Sequence, residues 1–214
     1  MSGSHTSRSE SVQLGAPLQS RPPFANLPLT SAAGRGVAAT DRDGLAIARI
    51  AARKGQLAAL TSRVRERFGV ELAQGPRRVE VNGVAFVGVG VETWLAVAER
   101  GFAADDRFAA SLREALDDLA AISDQTGSYA VLRLAGPRLR DTLAKFVPLD
   151  LHARVFDPGA AASTVASHVP VTLWRLPDDS AGLPVFEIAA PRSYARSFWH
   201  GVVESAAEFG LVRE

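Results

Sequence analysis

Three residues close together in the sequence are the best candidates for binding a metal ion. Asp150 and His152 stand two positions apart in LDLH and could share one side of an extended segment, with Asp157 following in the next loop. Carboxylate and imidazole groups are the ligands that zinc and similar cations use. Three such residues in a polar loop are also typical of solvated turns, so we expect no metal site.

Two glycine-rich segments have spacings that could cradle a phosphate. GRGVAA begins at Gly34 and GVGVET begins at Gly88. Such a turn binds a pyrophosphate only where a strand leads in and a helix N-terminus follows. No apolar strand precedes the first segment, and the second leads into another strand. We therefore expect turn glycines and no nucleotide site.

Aromatic and arginine side chains concentrate near the C-terminus. Trp, Tyr and Arg are enriched at protein interfaces because they combine large area with directional polar tips. On the last helix, we expect Tyr194 and Phe198 to face the core and Trp199 to project outward, so that Trp199→Ala would weaken assembly rather than folding. Core packing is the alternative for the whole set. The predicted partner interface consists of Trp174, Arg175, Arg192, Arg196, Trp199 and His200.

The composition excludes several classes of protein. Of 214 residues, 47% are hydrophobic and 22% charged, with a net charge of +1, so neither disorder nor nucleic-acid binding is indicated. The chain has no Cys, which excludes disulfides and Cys-ligated metals and suits a reducing compartment. No apolar run approaches the ~20 residues of a membrane span, and the first residues, MSGSHTSRSES, lack the apolar core of a secretory signal. We expect a cytoplasmic protein that binds no membrane.

Residues 1–44 are rich in Ser, Gly, Pro and Thr, and their apolar residues follow no period. This pattern predicts a flexible N-terminal arm. The arm is either a disordered leader or an extended segment that becomes ordered against another subunit. A cluster suited to such docking contains Pro22, Pro23, Phe24 and Pro28.

Regular elements begin after the arm. The pattern predicts a strand over 45–52 and a helix over about 56–68, ended by Gly69 in a left-handed conformation. Asn82-Gly83 predicts a tight hairpin turn, which places Val81 opposite Val84 and Val79 opposite Phe86. A strand from Trp94 and a helix follow. That helix begins near Asp105 and Asp106, buries Phe108, Leu112, Leu116 and Leu119, and is taken to extend to Ala120.

The second half repeats this order. SYAVLRLAG predicts a strand, Gly136-Pro137 a break, and the following residues a helix, as in the first half. The fold class is therefore α+β, with duplicated β-α-β-β-β-α lobes and mainly antiparallel sheets. The domain over 45–214 consists of two intertwined pseudo-repeats, at about 45–120 and 121–210, that share a core.

Residues from about 85 to 210 resemble the gamma subunit family of heterotetrameric sarcosine oxidases. One mark is the run from Gly136-Pro137-Arg138 to Pro148-Leu149-Asp150-Leu151-His152. The other is the ending from Arg192-Ser193-Tyr194-Ala195 to Ser205-Ala206-Ala207-Glu208-Phe209-Gly210. GVETWLAV also resembles a stretch of the family, although the residues ahead of its Trp94-Leu95 pair depart from the pattern.

The resemblance implies a fold like the folate-binding domain of glycine-cleavage T proteins, which are aminomethyltransferases. It implies a complex with alpha, beta and delta subunits that contains FAD, FMN and NAD and demethylates sarcosine to glycine, with tetrahydrofolate accepting the one-carbon unit. Within such a complex the gamma chain is a non-catalytic structural subunit. We therefore assign this chain no catalytic, cofactor-binding or metal-binding residue.

Two alternatives to this function remain open. The chain could be the gamma-type subunit of a related N-methyl amino acid oxidase or dehydrogenase, such as N-methylglutamate dehydrogenase. It could also be a stand-alone folate-dependent aminomethyl-binding protein, since fold analogy does not establish which ligand is bound.

Overall fold

The computed structural model describes residues 22–29, 34–99 and 107–214. Its strands are β1 Val37–Asp41, β2 Leu45–Ala52, β3 Arg78–Val81, β4 Val84–Gly90, β5 Thr93–Glu99, β6 Ala120–Asp124, β7 Tyr129–Ala135, β8 Ala161–Ala166, β9 Val169–Leu176, β10 Val185–Pro191 and β11 Leu211–Arg213. Its α-helices are α1 Leu57–Phe68, α2 Phe108–Leu116, α3 Leu139–Ala144 and α4 Ala195–Ala206. Across these ranges, no helix has the length and apolarity that crossing a membrane requires.

The strands form two mainly antiparallel sheets. The first-lobe sheet has the order β3-β4-β5-β2-β6, and the second-lobe sheet has the order β11-β1-β7-β10-β9-β8. Only the short pairing of β1 with β11 is parallel among the described strand pairs. The α+β class with antiparallel sheets, predicted from the sequence, is thereby confirmed.

The two lobes exchange their first strands. β1 precedes β2 along the chain but pairs with β7 in the second-lobe sheet. β6 precedes β7 but pairs with β2 in the first-lobe sheet. Each pseudo-repeat therefore begins with a strand that belongs to the other repeat's sheet, which explains why no linker separates the lobes.

Two segments differ from the sequence-based prediction. Val37–Asp41, included in the expected arm, is β1 and pairs along both of its edges. The helix predicted to reach Ala120 ends at Leu116, and Ala120–Asp124 is β6. Both strands are short and rich in small residues, so their conformation depends on distant pairing partners rather than on a local hydrophobic period. His5, Asp105 and Asp106 lie outside the described residues.

The sheets pack face to face between outer helices. Alternate side chains of β2 illustrate the layers: Ala46, Ala48 and Ile50 pack in one cluster with α1 and α2. Leu45 and Ile47 pack on the opposite face with Trp174 of the other sheet. The helices α3 and α4 cover the outer face of the second-lobe sheet. A cleft lined by strands of both sheets remains between them.

The strongest local predictions are confirmed. Gly69 ends α1 with a left-handed φ of 71°. Asn82 and Gly83 have φ of 52° and 79°, and Val81 pairs with Val84 as the turn requires. These features depend on neighbouring residues alone, which is why the sequence pattern was sufficient to predict them.

Candidate functional site

The main cavity described is a cleft of about 560 Å³ between the two sheets. Strands of both lobes line it, with apolar residues such as Leu45, Val97 and Val185. Its charged lining residues are Arg42, Arg78, Glu80, Glu99, Arg133, Asp179, Glu187 and Glu214. The volume is within the range of small-molecule sites, so the cleft is the candidate functional site.

Glu187 lies at the buried end of this cleft and is 3% exposed. Its Oε1 accepts hydrogen bonds from Nε of Arg42 at 2.9 Å and from Nε and Nη2 of Arg133 at 3.0 and 2.8 Å. Its Oε2 accepts one from Nε1 of Trp174 at 2.9 Å. Burying a carboxylate is costly unless it is paired and hydrogen-bonded, and here both oxygens are satisfied by the chain itself.

The sheet register brings these groups together. Glu187 of β10 lies directly across from Arg133 of β7 on one side and from Trp174 of β9 on the other. Thr40 of β1 extends the same row, opposite Arg133. Directly opposite residues in an antiparallel pair project on the same face, so the row points into the space between the sheets.

Arg42 joins this row to the other lobe. It follows β1, where the chain passes from the second-lobe sheet to the first-lobe sheet. Its Nε donates to Glu187, and its Nη2 forms an ion pair with Glu99 of β5. Burial lowers the pKa of Arg42, but hydrogen bonding to Glu99 and the charges of Glu187 and Glu99 outweigh it, so the pKa is raised. The guanidinium therefore remains charged.

The cleft has few groups suited to acid–base or nucleophilic chemistry. None of its described lining residues is a His, and both oxygens of its buried carboxylate accept hydrogen bonds from Arg or Trp donors. A catalytic base needs a free acceptor within reach of the proton that it takes. The geometry of the described residues therefore joins the two lobes through Glu187 and Arg42.

Sequence reasoning missed Arg42, Arg133 and Glu187. A signal was present, because Glu187 and Arg133 each interrupt an otherwise apolar strand, in VFEIAA and SYAVLRLAG. A charged residue among buried neighbours needs a partner, so a Glu in one such strand and an Arg in another predict an ion pair.

The predicted interface residues separate into buried and exposed groups. Trp174 is 0%, Arg175 4% and Trp199 2% exposed, so within this chain all three are packed inside. Arg175 donates from Nη1 to the Phe156 carbonyl oxygen at 2.9 Å and forms an ion pair with Asp178. For these three residues, the prediction of a partner-facing surface is corrected: the alternative, core packing, describes them.

The burial of Trp199 has a specific cause. Phe24, in the described part of the expected arm, packs on Phe198 and Trp199 with ring centroids 6.4 and 6.2 Å apart. The indole Nε1 of Trp199 donates to the Pro28 carbonyl oxygen at 2.8 Å. Residues 22–29, here called the strap, therefore cover the face of α4 that was expected to project outward. Tyr194, expected in the core, is 44% exposed.

Arg192, Arg196 and His200 lie nearer the surface. Arg196 and His200 are exposed on α4, and Arg192 is half-buried just before that helix. His200 Nε2 lies 3.2 Å from Oε1 of Glu204, one turn along the same helix face. This exposed side of α4 is the part of the predicted interface that a partner can reach.

The candidate metal ligands Asp150 and Asp157 each interact with a different partner. Asp150 Oδ1 accepts a hydrogen bond from the backbone N–H of His152 at 2.9 Å, as in a turn. Asp157 forms an ion pair with Arg77, whose hydrogen bond lowers the pKa of that carboxyl. Within the described ranges, no group of three or more His, Cys, Asp or Glu side chains is arranged to hold a metal ion.

The two glycine-rich segments are sites of close backbone approach. Gly36 leads into β1 rather than a helix, and a Cβ there would lie 2.5 Å from the Phe209 carbonyl oxygen. A Cβ at Gly88 would collide with the Gly75 carbonyl oxygen. These glycines allow neighbouring backbones to pack, and neither precedes a helix that could receive a phosphate.

Comparison with known proteins identifies similar sequences. A model of the sarcosine oxidase, gamma subunit family matches residues 54–208. The chain is 32% identical over 130 residues to a sarcosine oxidase subunit gamma of Corynebacterium sp. strain P-1, covering 60% of each protein. It is 28% identical over 141 residues to that of strain U-96, covering 66% of this chain and 65% of the relative. The matches thus span less than two thirds of these relatives.

Comparison with solved structures identifies the same architecture. A chain of the heterotetrameric sarcosine oxidase from Corynebacterium sp. U-96, in complex with pyrrole 2-carboxylate, matches with a TM-score of 0.72 and 25% identity, covering 89% of this chain and 96% of that one. The glycine cleavage system aminomethyltransferase T from Bartonella henselae matches with a TM-score of 0.60 and 15% identity, covering 84% of this chain and 48% of that one. The second likeness concerns the fold alone.

Proposed function

Because the chain belongs to the sarcosine oxidase, gamma subunit family, we propose that it is the structural gamma subunit of a heterotetrameric sarcosine oxidase. In this proposal the complex oxidatively demethylates sarcosine to glycine and transfers the one-carbon unit to tetrahydrofolate. The chain supplies structure to the complex and no catalytic group.

One observation carries the proposal. The structure matches a chain of a heterotetrameric sarcosine oxidase over 96% of that chain's length, with a TM-score of 0.72. Because the match extends over almost the whole of a subunit that exists within an assembly, the same role is the simplest account of this chain.

The cleft supports a structural role within the complex. Its buried carboxylate is bound by Arg42, Arg133 and Trp174 of the chain itself. A catalytic site keeps its polar groups available to the substrate, whereas these groups bind one another.

The partners and cofactors belong to the same proposal. The alpha, beta and delta subunits would accompany this chain, and FAD, FMN and NAD would be bound by the complex rather than by the chain alone. A cytoplasmic location, which the cysteine-free composition favours, is part of this proposal.

The exposed side of α4 is the surface proposed for partner contact. Arg196 and His200 lie there beside a shallow groove of about 330 Å³ between α4 and the strap. Arg is a frequent anchor at protein interfaces because its planar group forms several directional hydrogen bonds.

Co-purification tests the proposed function. The full chain, carrying an affinity tag, would be co-expressed with alpha, beta and delta subunits of a sarcosine oxidase from the same source, and the purified material examined for mass and flavin absorbance. We expect a heterotetramer that oxidises sarcosine. The proposal is wrong if the chain purifies alone under conditions in which the other subunits assemble without it. Higher turnover with N-methylglutamate than with sarcosine would instead change the substrate and retain the gamma role.

A charge reversal tests the proposed surface. Arg196→Glu combined with His200→Glu is expected to reduce recovery of the large subunits at least tenfold without changing the unfolding temperature by more than a few degrees. Arg67→Glu, on the exposed side of α1, is the matched control and should leave recovery unchanged. Equal recovery with both variants would show that partners bind elsewhere.

A further inference from the structure

We propose that the charged groups of the cleft between the lobes bind one another, so that the cleft does not bind the folate that its fold family implies. The fold resembles that of an aminomethyltransferase T protein, and the cleft of about 560 Å³ has room for a bicyclic ring. Space therefore does not exclude folate. The chemistry of the lining residues does.

The pterin end of folate presents adjacent N–H donors. In a buried site, such a donor pair binds most strongly to a carboxylate with free acceptor positions on both oxygens, since charge-assisted bidentate hydrogen bonds are the strong ones and unpaired polar groups are costly away from water. Among the described carboxylates that line the cleft, Glu187 is the one that is buried. Recognition of the pterin by a buried carboxylate of this cleft would therefore have to use Glu187.

Glu187 has no free acceptor position on Oε1 and at most one on Oε2, so it cannot accept a pair of adjacent N–H donors. An ionised carboxylate offers about four lone-pair sites. Arg42 and Arg133 supply three N–H donors to Oε1, and Trp174 supplies one to Oε2. A ligand could bind both carboxylate oxygens only by displacing a guanidinium of Arg42 or Arg133, or the indole of Trp174, from Glu187.

Four other carboxylate side chains line the cleft, on Glu80, Glu99, Asp179 and Glu214, and each is paired or exposed, with Glu214 at the exposed C-terminal position. Glu99 pairs with Arg42, and Glu80 pairs with Arg78. Asp179 accepts the backbone N–H groups of Ala181 and Leu183 through Oδ1. Glu99 and Glu80 have 55% and 43% of their side-chain surface exposed, so neither supplies the dry environment in which a hydrogen bond to a ligand gains most.

Arg42 also connects the two lobes, and its contacts with Glu187 and Glu99 are here called the clasp. It stands where the chain crosses from one sheet to the other, and its guanidinium holds Glu187 of the second lobe and Glu99 of the first. A planar, permanently charged fork is suited to binding two carboxylates in a fixed geometry. The clasp therefore fixes the relative position of the two lobes across the cleft.

Direct binding tests the first part of the proposal. The full-length chain would be titrated with 5-formyltetrahydrofolate by calorimetry, with amide chemical shifts followed by NMR. We expect no saturable heat at millimolar ligand and no shift changes in the cleft strands. Saturable binding that shifts cleft amides and is lost in Ala135→Trp, which fills the cleft, would overturn it. Binding that Ala135→Trp leaves unchanged, with no shifts in the cleft, would place folate elsewhere and agree with a cleft that does not bind it.

Spin-label distances test the clasp. The absence of Cys allows one label on each lobe, through Glu114→Cys on α2 and Ser197→Cys on α4, both exposed. We expect a narrow distance distribution in this background and at least a twofold broader one after adding Arg42→Ala. Arg65→Ala, at an exposed ion pair, is the control and should change nothing. An unchanged width with Arg42→Ala would show that Arg42 does not hold the lobes. Neither test depends on assembly, so its outcome is separate from that of the proposed function.

Discussion

Trp199 Nε1 donates a hydrogen bond to the Pro28 carbonyl oxygen at 2.8 Å, between residues 171 positions apart. This contact, with the packing of Phe24 on the same indole, makes a side chain expected on the surface part of the core. The strap is therefore an integral part of the second lobe, and it determines which face of α4 remains for a partner.

Trp199→Ala is expected to destabilise folding. Removing a buried aromatic side chain costs about 3–5 kcal/mol, through lost burial and the cavity left behind. Trp199→Phe retains most of the packing and loses the hydrogen bond, so we expect about 1 kcal/mol. Denaturant unfolding of the free chain measures both. If Trp199→Ala is as stable as wild type, Trp199 lies on the surface and not in the core.

Phe24→Ala tests the strap directly. Phe24 is fully buried against Phe198 and Trp199, so its truncation should cost about 3 kcal/mol and shift tryptophan emission to longer wavelength. Leu29→Ala, five positions later and exposed, should change stability by less than about 0.5 kcal/mol. Equal effects of the two substitutions would mean that the strap does not pack as described.

Glu187→Gln tests the buried ion pairs. Replacing the carboxylate leaves two partly exposed guanidinium groups and an indole N–H facing a neutral amide, and losing charge-assisted hydrogen bonds of this kind costs about 1.5–3 kcal/mol. Glu99→Gln removes an exposed partner of Arg42 and should cost less than about 1 kcal/mol. Chemical unfolding gives both values. A larger loss of stability with Glu99→Gln than with Glu187→Gln would show that Glu187 is not the central residue of this network.

Gly88→Ala and Gly75→Ala form a matched pair across one close contact. A Cβ at Gly88 meets the Gly75 carbonyl oxygen, whereas a Cβ at Gly75 meets nothing within 4 Å. Overpacking should therefore cost Gly88→Ala about 1–3 kcal/mol. Gly75→Ala should stay within about 0.5 kcal/mol of wild type. Thermal unfolding of the two variants decides whether this backbone approach is as close as described.

The raised pKa of Asp41 predicts that the free energy of unfolding depends on pH. Burial raises its pKa above the usual 3.8, nearby Asp43 adds to this, and Arg213 at 3.9 Å opposes it. The folded chain then holds this proton more tightly than the unfolded chain. Its contribution to stability therefore decreases as pH rises from the usual pKa through the raised one.

Asp41→Asn removes this titration. At neutral pH the variant should be more stable than wild type, and the difference should disappear below the usual Asp pKa, where Asp41 is protonated in both states. Asp118→Asn, at an exposed position, is the control. Urea unfolding across this pH range measures the difference. A constant difference at all pH values would contradict the prediction.

The sequence by itself determined the features that depend on adjacent residues. The spacing of Leu60 and Val64 in α1, the left-handed Gly69 that ends it, and the Asn82-Gly83 turn require only local conformational preferences. The duplicated order of elements was visible for the same reason, because each half repeats the local signals. The resemblance to the sarcosine oxidase gamma family came from residues close together in the chain, and it is confirmed.

Only the tertiary structure decided which distant segments meet. β1 and β6 are short strands of small residues, and each finds its partner in the other lobe. Arg42 and Glu187 are 145 positions apart, and the pairing of the sheets makes them neighbours. Trp199 is buried because the strap covers it. A hydrophobic period reports which face of an element is apolar but not what covers that face, and that depends on the path of the whole chain.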